Sequence, residues 1–588
     1  MNFSGNRTFT DNIIGPYGLI MNVKNGHLTT AHTSDKDITC INAYSVNVGD
    51  GVGSIDSTYT VKNILIANNG YGNINVLEDG KLELAQSDKN NGTILISFND
   101  EDGDGKITSG IINNKGIVDF NNGELALKPD AGYYDSTTVI QIMGEYKGVD
   151  GEKFGEIWFV DMNDKEAEEV EDDTESRTAT NDSYQVTNTL TMSAVQGAGA
   201  NSNLVYITTV RDFDDVELDE EEEDVSEIIE KVDDTFNSNE PSNERDKEWQ
   251  DMLGAIDFLK TDDEINNALG QLLPSAYGYG AMATMDLHRM LSDFAVGGSL
   301  APAHNIKEKG KWHNIVIPYA SETDHIKNGT GYKNNHSGMV GAMERTLDDV
   351  TVGWHAALNH QSTTGAEIGR LKGDGLYLGA QVKYAPEAWN GWSTFGIARV
   401  GVEDFDMQRN FNFNGYNGKV DSDFTAFSGS LRVGGAYEKE AKEMTFGPFA
   451  ALDYAFAHHP SIEEDGEGAG RLSVESGTYD SLRTQLGYRV QTAPKHLEDR
   501  TYWQANAAIA WNHELLGDAG NVSASFRDFG GTTFGCDVDN YGRDSLSLMA
   551  GMTFKNPSKL DVTLNLGTDI YRHGGNTLYA KCALEWKF

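Results

Sequence analysis

Asp100, Asp102 and Asp104 alternate through the stretch Asp100-Glu-Asp-Gly-Asp-Gly105-Lys-Ile107. They fall on positions 1, 3 and 5 of a calcium loop, with glycine at the sharp sixth position and an apolar residue at the eighth. Position 12 is Ile111 in place of the bidentate glutamate. Calcium would therefore draw on backbone and water oxygens and bind at the weak, roughly 10⁻⁴–10⁻³ M end of the scale. An Asp/Gly-rich turn would use the same letters. No Gly-x-Ser-x-Gly elbow, His-Glu-x-x-His pair or Walker loop occurs. His513-Glu514-Leu-Leu-Gly517 opens like a zinc-protease motif but lacks the second histidine, and reads as a strand end and loop. Scattered histidines and aspartates without a matched set carry no catalytic assignment. The chain is not read as an enzyme, and calcium is the one cofactor for which it offers a place.

Composition narrows the class. A chain of 588 residues is long enough for two or more domains. The formal charge of -45 argues against nucleic acid as a partner, which needs a basic patch. A mean hydropathy of -0.47 and the lack of a long apolar run speak against a membrane-crossing helix. They do not speak against a membrane barrel, whose strands hide half their residues from such a measure. Cys40, Cys536 and Cys582 show no metal-ligand spacing, and Cys582 reads as a small hydrophobe. Met1 leads into polar sequence without the apolar core of a signal peptide, so the reading frame is expected to begin further upstream.

The first third consists of short β-branched runs broken by Asn and Gly. Gly72-Asn-Ile-Asn-Val-Leu-Glu-Asp-Gly80-Lys-Leu-Glu-Leu and Gly110-Ile-Ile-Asn-Asn-Lys-Gly-Ile-Val-Asp-Phe-Asn-Asn-Gly123-Glu-Leu-Ala-Leu look like copies of one unit, their Gly-x-Leu-x-Leu ends spaced to suit two coils of a β-solenoid with roughly 20 residues each. A single β-sandwich is the competing reading. The acidic stretches 165–175 and 212–233 read as solvated loops or linkers. Between them, 184–210 offers two strands that could finish the solenoid. Residues 243–260 and 262–273 have helical spacing, the second opening with the capping box Thr261-Asp-Asp-Glu264. A further helix is expected over Ser275 to Phe294. Its twenty residues would span about 30 Å, the thickness of a bilayer's hydrocarbon.

The carboxy-terminus alternates with a period of two. Leu578, Ala580, Cys582, Leu584, Trp586 and Phe588 share one face, against Thr577, Tyr579, Lys581 and Glu585 on the other. A soluble strand could alternate in this way, but the pattern recurs upstream. Twelve such strands are expected, centred near Ile315, Val340, Trp354, Leu378, Ala398, Ser430, Ala450, Leu486, Ala508, Met549, Leu564 and Leu584. The clearest lumen-facing set is Arg483, Gln485 and Arg489, alternating with Leu482, Leu486 and Tyr488. Short connections such as 556–558 are expected on one side of a membrane, and long loops such as 404–423 and 460–477 on the other.

Several of these stretches together resemble the translocator of type V secretion autotransporters. They are Ala507-Ala-Ile-Ala-Trp511-Asn-His-Glu514-Leu, Ser523-Ala-Ser-Phe526, Gly542-Arg-Asp-Ser-Leu-Ser-Leu-Met-Ala-Gly551 and the terminal strand ending in Phe588. Leu273-Pro-Ser-Ala-Tyr277 and the helix after it resemble that family's pore-threading segment. The resemblance implies a mainly all-β chain with a β-solenoid passenger at 1–211 and an acidic, helical linker at 212–274. It implies a pore helix at 275–298 and a twelve-stranded transmembrane barrel at 299–588. The pore helix would carry Tyr277, Gly278, Ala283, Asp286 and Arg289, its small residues keeping it thin. Arg483, Gln485, Arg489 and Asp561 would be lumen partners for its charges. Phe588 and Trp586 would serve as the barrel-assembly signal. The implied setting is a bacterial outer membrane with the passenger at the cell surface. The implied partners are outer-membrane lipid, the barrel-assembly machinery and a surface ligand of the passenger, with the chain acting as a monomer. An adhesive or binding passenger is the first reading, and a passenger enzyme the alternative. An open diffusion porin is disfavoured, because the helix would block it.

Overall fold

The computed structural model describes short strands between residues 2 and 119, then 120, 123–142, 153–160, 162, 184–198, 201, 203–236, 244–294, 310–326, 331–365, 369–497, 501–516, 520–538, 543–556, 560–571 and 575–587. Two compact units emerge, 1–269 together with 412–416, and the remainder.

The second unit is a closed antiparallel barrel. Its twelve strands are β1 (Trp312–Asp324), β2 (Tyr332–Leu347), β3 (Val350–Gly365), β4 (Arg370–Tyr384), β5 (Trp392–Phe413), β6 (Tyr416–Tyr437), β7 (Met444–His459), β8 (Gly477–Thr492), β9 (Tyr502–Glu514), β10 (Asp544–Lys555), β11 (Leu560–Tyr571) and β12 (Asn576–Lys587). Each pairs with its sequence neighbour, and β12 returns to β1 with His313 opposite Lys587 and Asp324 opposite Asn576. Every expected strand centre lies in one of the twelve. Closure leaves no unpaired edge, as a structure surrounded by hydrocarbon requires. Alternation then sorts the side chains. Leu378, Val400, Leu431, Leu486 and Leu566 point outward and are exposed, while polar residues such as Glu403, Arg432 and Gln485 are buried inside. Trp312, Trp354, Trp389 and Trp392 lie exposed toward one end, as aromatic side chains at a membrane boundary do.

The two ends differ. At the end marked by these tryptophans the connections are short, such as 348–349 and 438–443. At the other, the connections 460–476 and 515–543 fold into a four-stranded sheet of Ile462–Glu463, Leu472–Val474, Asn521–Phe526 and Phe534–Asp537. Leu472, Ala524 and Phe526 are fully buried there, as is Cys536, so this sheet is a packed cap. The expectation of a loop at 404–423 is corrected. β5 and β6 run on through it to Asn414-Gly415, whose φ values of 41° and 84° form the two-residue turn that matches strand twist. Outward Asp404, Asp406 and Asp423 made the segment look like a loop, while inward Phe405, Met407 and Phe411 are buried.

In the first unit, strands pair in parallel in three sheets. One joins Asn2–Ser4, Ile20–Lys24, Ser45–Val48, Asn73–Val76 and Ile112–Asn114, and a second joins Arg7–Phe9, Gly26–Thr30, Ser57–Val61, Gly80–Leu84 and Ile117–Asp119. The third joins Asn63–Ile66, Thr93–Phe98, Glu124–Pro129 and Glu156–Phe159. The two stretches do stack, Ile112–Asn114 on Asn73–Val76 and Ile117–Asp119 on Gly80–Leu84, but the register expected between Gly80 and Gly123 is corrected, since Glu124–Pro129 lies in the third sheet. Lys81 pairs with Ile117, whereas Glu124 pairs with Thr93. Alternating leucines mark any inward-facing strand, so similar letters did not mean equivalent positions. Thr137–Gln141, Leu204–Arg211 and Leu190–Gln196 pair antiparallel and extend one core, in which Ile96, Leu125, Ile140, Leu190 and Ile207 are buried together.

The acidic run 212–233 is also corrected, because most of it is helix. Helix α1 (Glu220–Phe236) places Val225, Ile228, Ile229, Val232 and Phe236 on one buried stripe. Four of its glutamates, Glu220 to Glu223, occupy the first turn, where the helix dipole favours negative charge. Helices α2 (Glu244–Asp257) and α3 (Asp262–Gly270) follow. Thr261 Oγ1 accepts the Glu264 amide at 3.2 Å, as the capping box predicts. A buried cation binds these helices to the strands. Arg211 donates to Asp257 from Nε at 2.8 Å and from Nη2 at 2.5 Å, and pairs with Asp233. Tyr133 donates to Asp233 at 2.9 Å and Thr189 to Asp257 at 3.0 Å. Burial works against the Arg211 charge, but Asp257 and Asp233 outweigh it and hold the guanidinium well above its ordinary pKa.

Candidate functional site

Helix α4 (Ser275–Phe294) lies within the ring of strands, and its two faces are held by different forces. Leu287, Leu291 and Phe294 follow helical spacing and pack against Ile315, Ile317, Tyr319, Val340, Ala357, Tyr377 and Tyr579. The facing side of the lumen is polar. Thr284 donates to Glu403 of β5 at 2.6 Å, and His288 Nε2 is 2.9 Å from Ser428 Oγ of β6. Arg399 of β5 donates to the His288 carbonyl at 2.8 Å, and Arg432 of β6 to Asp293 at 2.6 Å. The helix thus touches strands on all sides of the ring. A lumen group left without a partner in so dry a place would cost far more than a surface one.

The residues singled out in the sequence take these places. Tyr277 is buried, donates to Glu464 at 2.7 Å and lies 2.8 Å from Ser422 Oγ. Gly278 faces the cap sheet, where an added Cβ would come within 3.3 Å of Val538 Cβ and closer still to its methyl, so with valine at 538 the position favours glycine. The Ala283 carbonyl is 3.1 Å from His336 Nε2. Asp286 accepts from Arg289 at 2.7 Å, one turn along the same helix, and Arg289 also reaches Ser481 of β8 and Glu514 of β9. Gln485 accepts from Arg432 at 2.5 Å, which ties it to α4 through Asp293. Arg489 instead pairs with Glu438 at 2.5 Å, and Asp561 accepts the Asn556 amide at 3.1 Å. Arg483 lines a polar cavity with Asp286, Arg289, Asp293, Asp569 and Tyr571. That cavity offers ≈ 20 Å³ to the centre of a water molecule, room for about one water. Trp586 stands opposite Asn314 of β1 and Leu560 of β11. Phe588 and the aspartates Asp100, Asp102 and Asp104 lie outside the described residues. Among the described residues no cluster of His, Cys, Asp or Glu is arranged to hold a metal ion.

Sequence reasoning missed Arg399, Glu403 and Arg409 of β5. A signal was present, because the three are spaced by even numbers within an alternating strand and so share the inward face. Charges on that face must meet either water or a plug.

The chain's own order completes the geometry. Its second unit begins beside the cap at 270–277, runs down the lumen as α4, and enters β1 at Trp312, at the end of short connections. Residues 317–567 match the sequence model of the family described as Autotransporter beta-domain. The barrel is an autotransporter β-domain. This fits placement in a bacterial outer membrane, and such domains are transport units. Three solved structures are similar to the chain. The translocator domain of autotransporter NalP from Neisseria meningitidis shares 14% identity, covering 54% of this chain and 100% of that one, with a TM-score of 0.43. The beta domain of the Bordetella autotransporter BrkA shares 15%, covering 47% and 100%, with a TM-score of 0.37. The transport unit of autotransporter AIDA-I from Escherichia coli shares 12%, covering 53% and 99%, with a TM-score of 0.33. No match was found among curated proteins.

Proposed function

We propose that this chain is an outer-membrane autotransporter whose barrel exports and anchors its own N-terminal region at the cell surface. One observation carries the reading. α4 fills the lumen with its first residues at the capped end and its last near the end where β1 begins, and residues 270–274, which precede it in the same unit, lie at the cap. A solute channel has no use for a plug bonded so fully to its wall. The exported region is read as a β-solenoid with an adhesive or binding role. Stacked parallel strands support this, since they present long, flat faces of the kind used for extended contact.

The test uses cells making the full chain. Protease added outside should release the N-terminal region while the barrel stays intact. Gly278→Cys with Val538→Cys, in a background where Cys40, Cys536 and Cys582 are serine, should form a disulfide, given the Cβ separation of about 3.3 Å. An N-terminal region protected from protease, or the two thiols staying apart, overturns the reading. Adhesion of these cells to glycans or matrix proteins, lost when residues 1–211 are deleted, tests the binding role.

A further inference from the structure

We propose that Arg409 and Glu464 form a docking site for the chain's own segment Gln271–Tyr277, a latch that shuts the outer mouth of the barrel once α4 is seated. This rests on the export role proposed above. Arg409 stands on the inner face of β5 and is fully buried. It donates to both oxygens of Glu464, at 2.7 Å from Nε and 2.8 Å from Nη2. Nη2 also donates to the Gly470 carbonyl at 2.9 Å. Its remaining nitrogen, Nη1, donates to the carbonyls of Gln271 at 3.1 Å and Leu273 at 3.3 Å. Glu464, equally buried, accepts in addition from the Tyr277 hydroxyl at 2.7 Å and the Leu472 amide at 2.8 Å.

These bonds divide into two groups. Glu464, Gly470 and Leu472 belong to the connection 460–476, which forms part of the cap. Gln271, Leu273 and Tyr277 belong to the segment that reaches its place only when α4 has entered the lumen. A buried ion pair is stable when every donor and acceptor is satisfied, and unstable when some are left open. With 271–277 absent, Nη1 and one lone pair of Glu464 lose their partners, and the apolar cover of Leu272 and Leu273 is lost with them. The connection 460–476 then has reason to lift, exposing the pair to water. The latch therefore closes on arrival and stays open before it. It reads backbone carbonyls at Gln271 and Leu273, and at Tyr277 it reads a side-chain hydroxyl.

The experiment measures purified full-length protein in planar lipid bilayers, together with labelling of Gln271→Cys by a membrane-impermeant maleimide on intact cells. Arg409→Met with Glu464→Met removes the latch without leaving a lone buried charge. Opening frequency and labelling rate should each rise at least tenfold, with Tyr277→Phe intermediate. The Gly278→Cys/Val538→Cys disulfide should bring the latch variant back to the closed level. A folded latch variant that is as closed and as protected as the parent overturns the latch. If the disulfide never forms, the seated helix itself fails, which is a separate result. Should the double variant not fold, Glu464→Gln with Tyr277→Phe is read in its place, and unchanged conductance and labelling there overturn the latch equally.

Discussion

Arg211 and Arg409 are both buried guanidiniums held by carboxylates, one in each unit, yet they are completed in different ways. Arg211 has two carboxylates, Asp257 and Asp233, and its cation lies 5.1 Å from the centre of the Tyr133 ring. Arg409 has one carboxylate and three backbone carbonyls. The sequence separations differ as well, 46 positions from Arg211 to Asp257 but 138 from Arg409 to Gln271. A cation neutralised by side chains of its own unit is satisfied as soon as that unit folds. A cation that depends on carbonyls of a distant segment is satisfied only when the segment has arrived. The first arrangement suits a permanent clamp and the second a step that happens late.

Taking a carboxylate from the first clamp should give the largest effect. Asp257→Ala leaves Arg211 buried with half its charge unmatched, which costs about 3–5 kcal/mol when a buried pair is broken. Urea unfolding of the full chain in detergent, followed by protease resistance, should show the N-terminal unit failing at lower urea while the barrel transition stays in place. A common shift of both would contradict the independence of the two units. Next in size is an apolar test in the barrel. Leu287→Ala empties part of the cluster behind α4, at about 2–5 kcal/mol for a buried leucine. It should raise protease cutting within α4. If cutting is unchanged, the polar face alone holds the helix, and the barrel resembles the Arg211 site more than its two-faced packing implies. Thr284→Val is smaller, since it removes one bond to a buried carboxylate, about 1.5–3 kcal/mol. The same protease assay should show a weaker increase.

The barrel was legible in the sequence because one face of each strand meets hydrocarbon, which forces a period of two that any reader can count. The span of α4 was legible for a similar reason, with Gly278 and Gly280 marking where a helix must be thin. What was not legible depends on register across the ring. Ser428, Ser481 and Glu514 meet α4 because their strands bring them to the right height, and no local pattern encodes height. The cap sheet escaped notice because Leu472–Val474 and Asn521–Phe526 pair across two separate connections. Helix α1 was hidden by charge, since glutamates that stabilise a first turn look the same in a list of letters as those that keep a linker solvated.

Acidity should produce the smallest effect, and it distinguishes the clamp from its surroundings. Around the Arg211 unit, Asp130, Asp135, Asp212, Glu230 and Asp251 are all raised in pKa, each chiefly by burial, with Asp214 adding its charge at Asp212 and at Glu230. The folded state therefore holds protons more tightly than the unfolded chain, whose carboxyls sit near 3.8 for aspartate and 4.5 for glutamate. Stability from this source is fully present below those values and is lost as pH rises through the raised folded-state pKa values. Asp251 is exposed and the other four are partly so, so solvent screens the contribution and the total is modest. Arg211 keeps its charge throughout and adds nothing to the slope. The urea midpoint of the N-terminal unit should accordingly be higher at pH 5 than at pH 7.5. Asp212→Asn with Glu230→Gln should narrow that gap, because neutral side chains no longer gain by taking up a proton. A midpoint that falls on acidification would mean that ion pairs, and the Arg211 clamp first among them, govern this unit's response to pH.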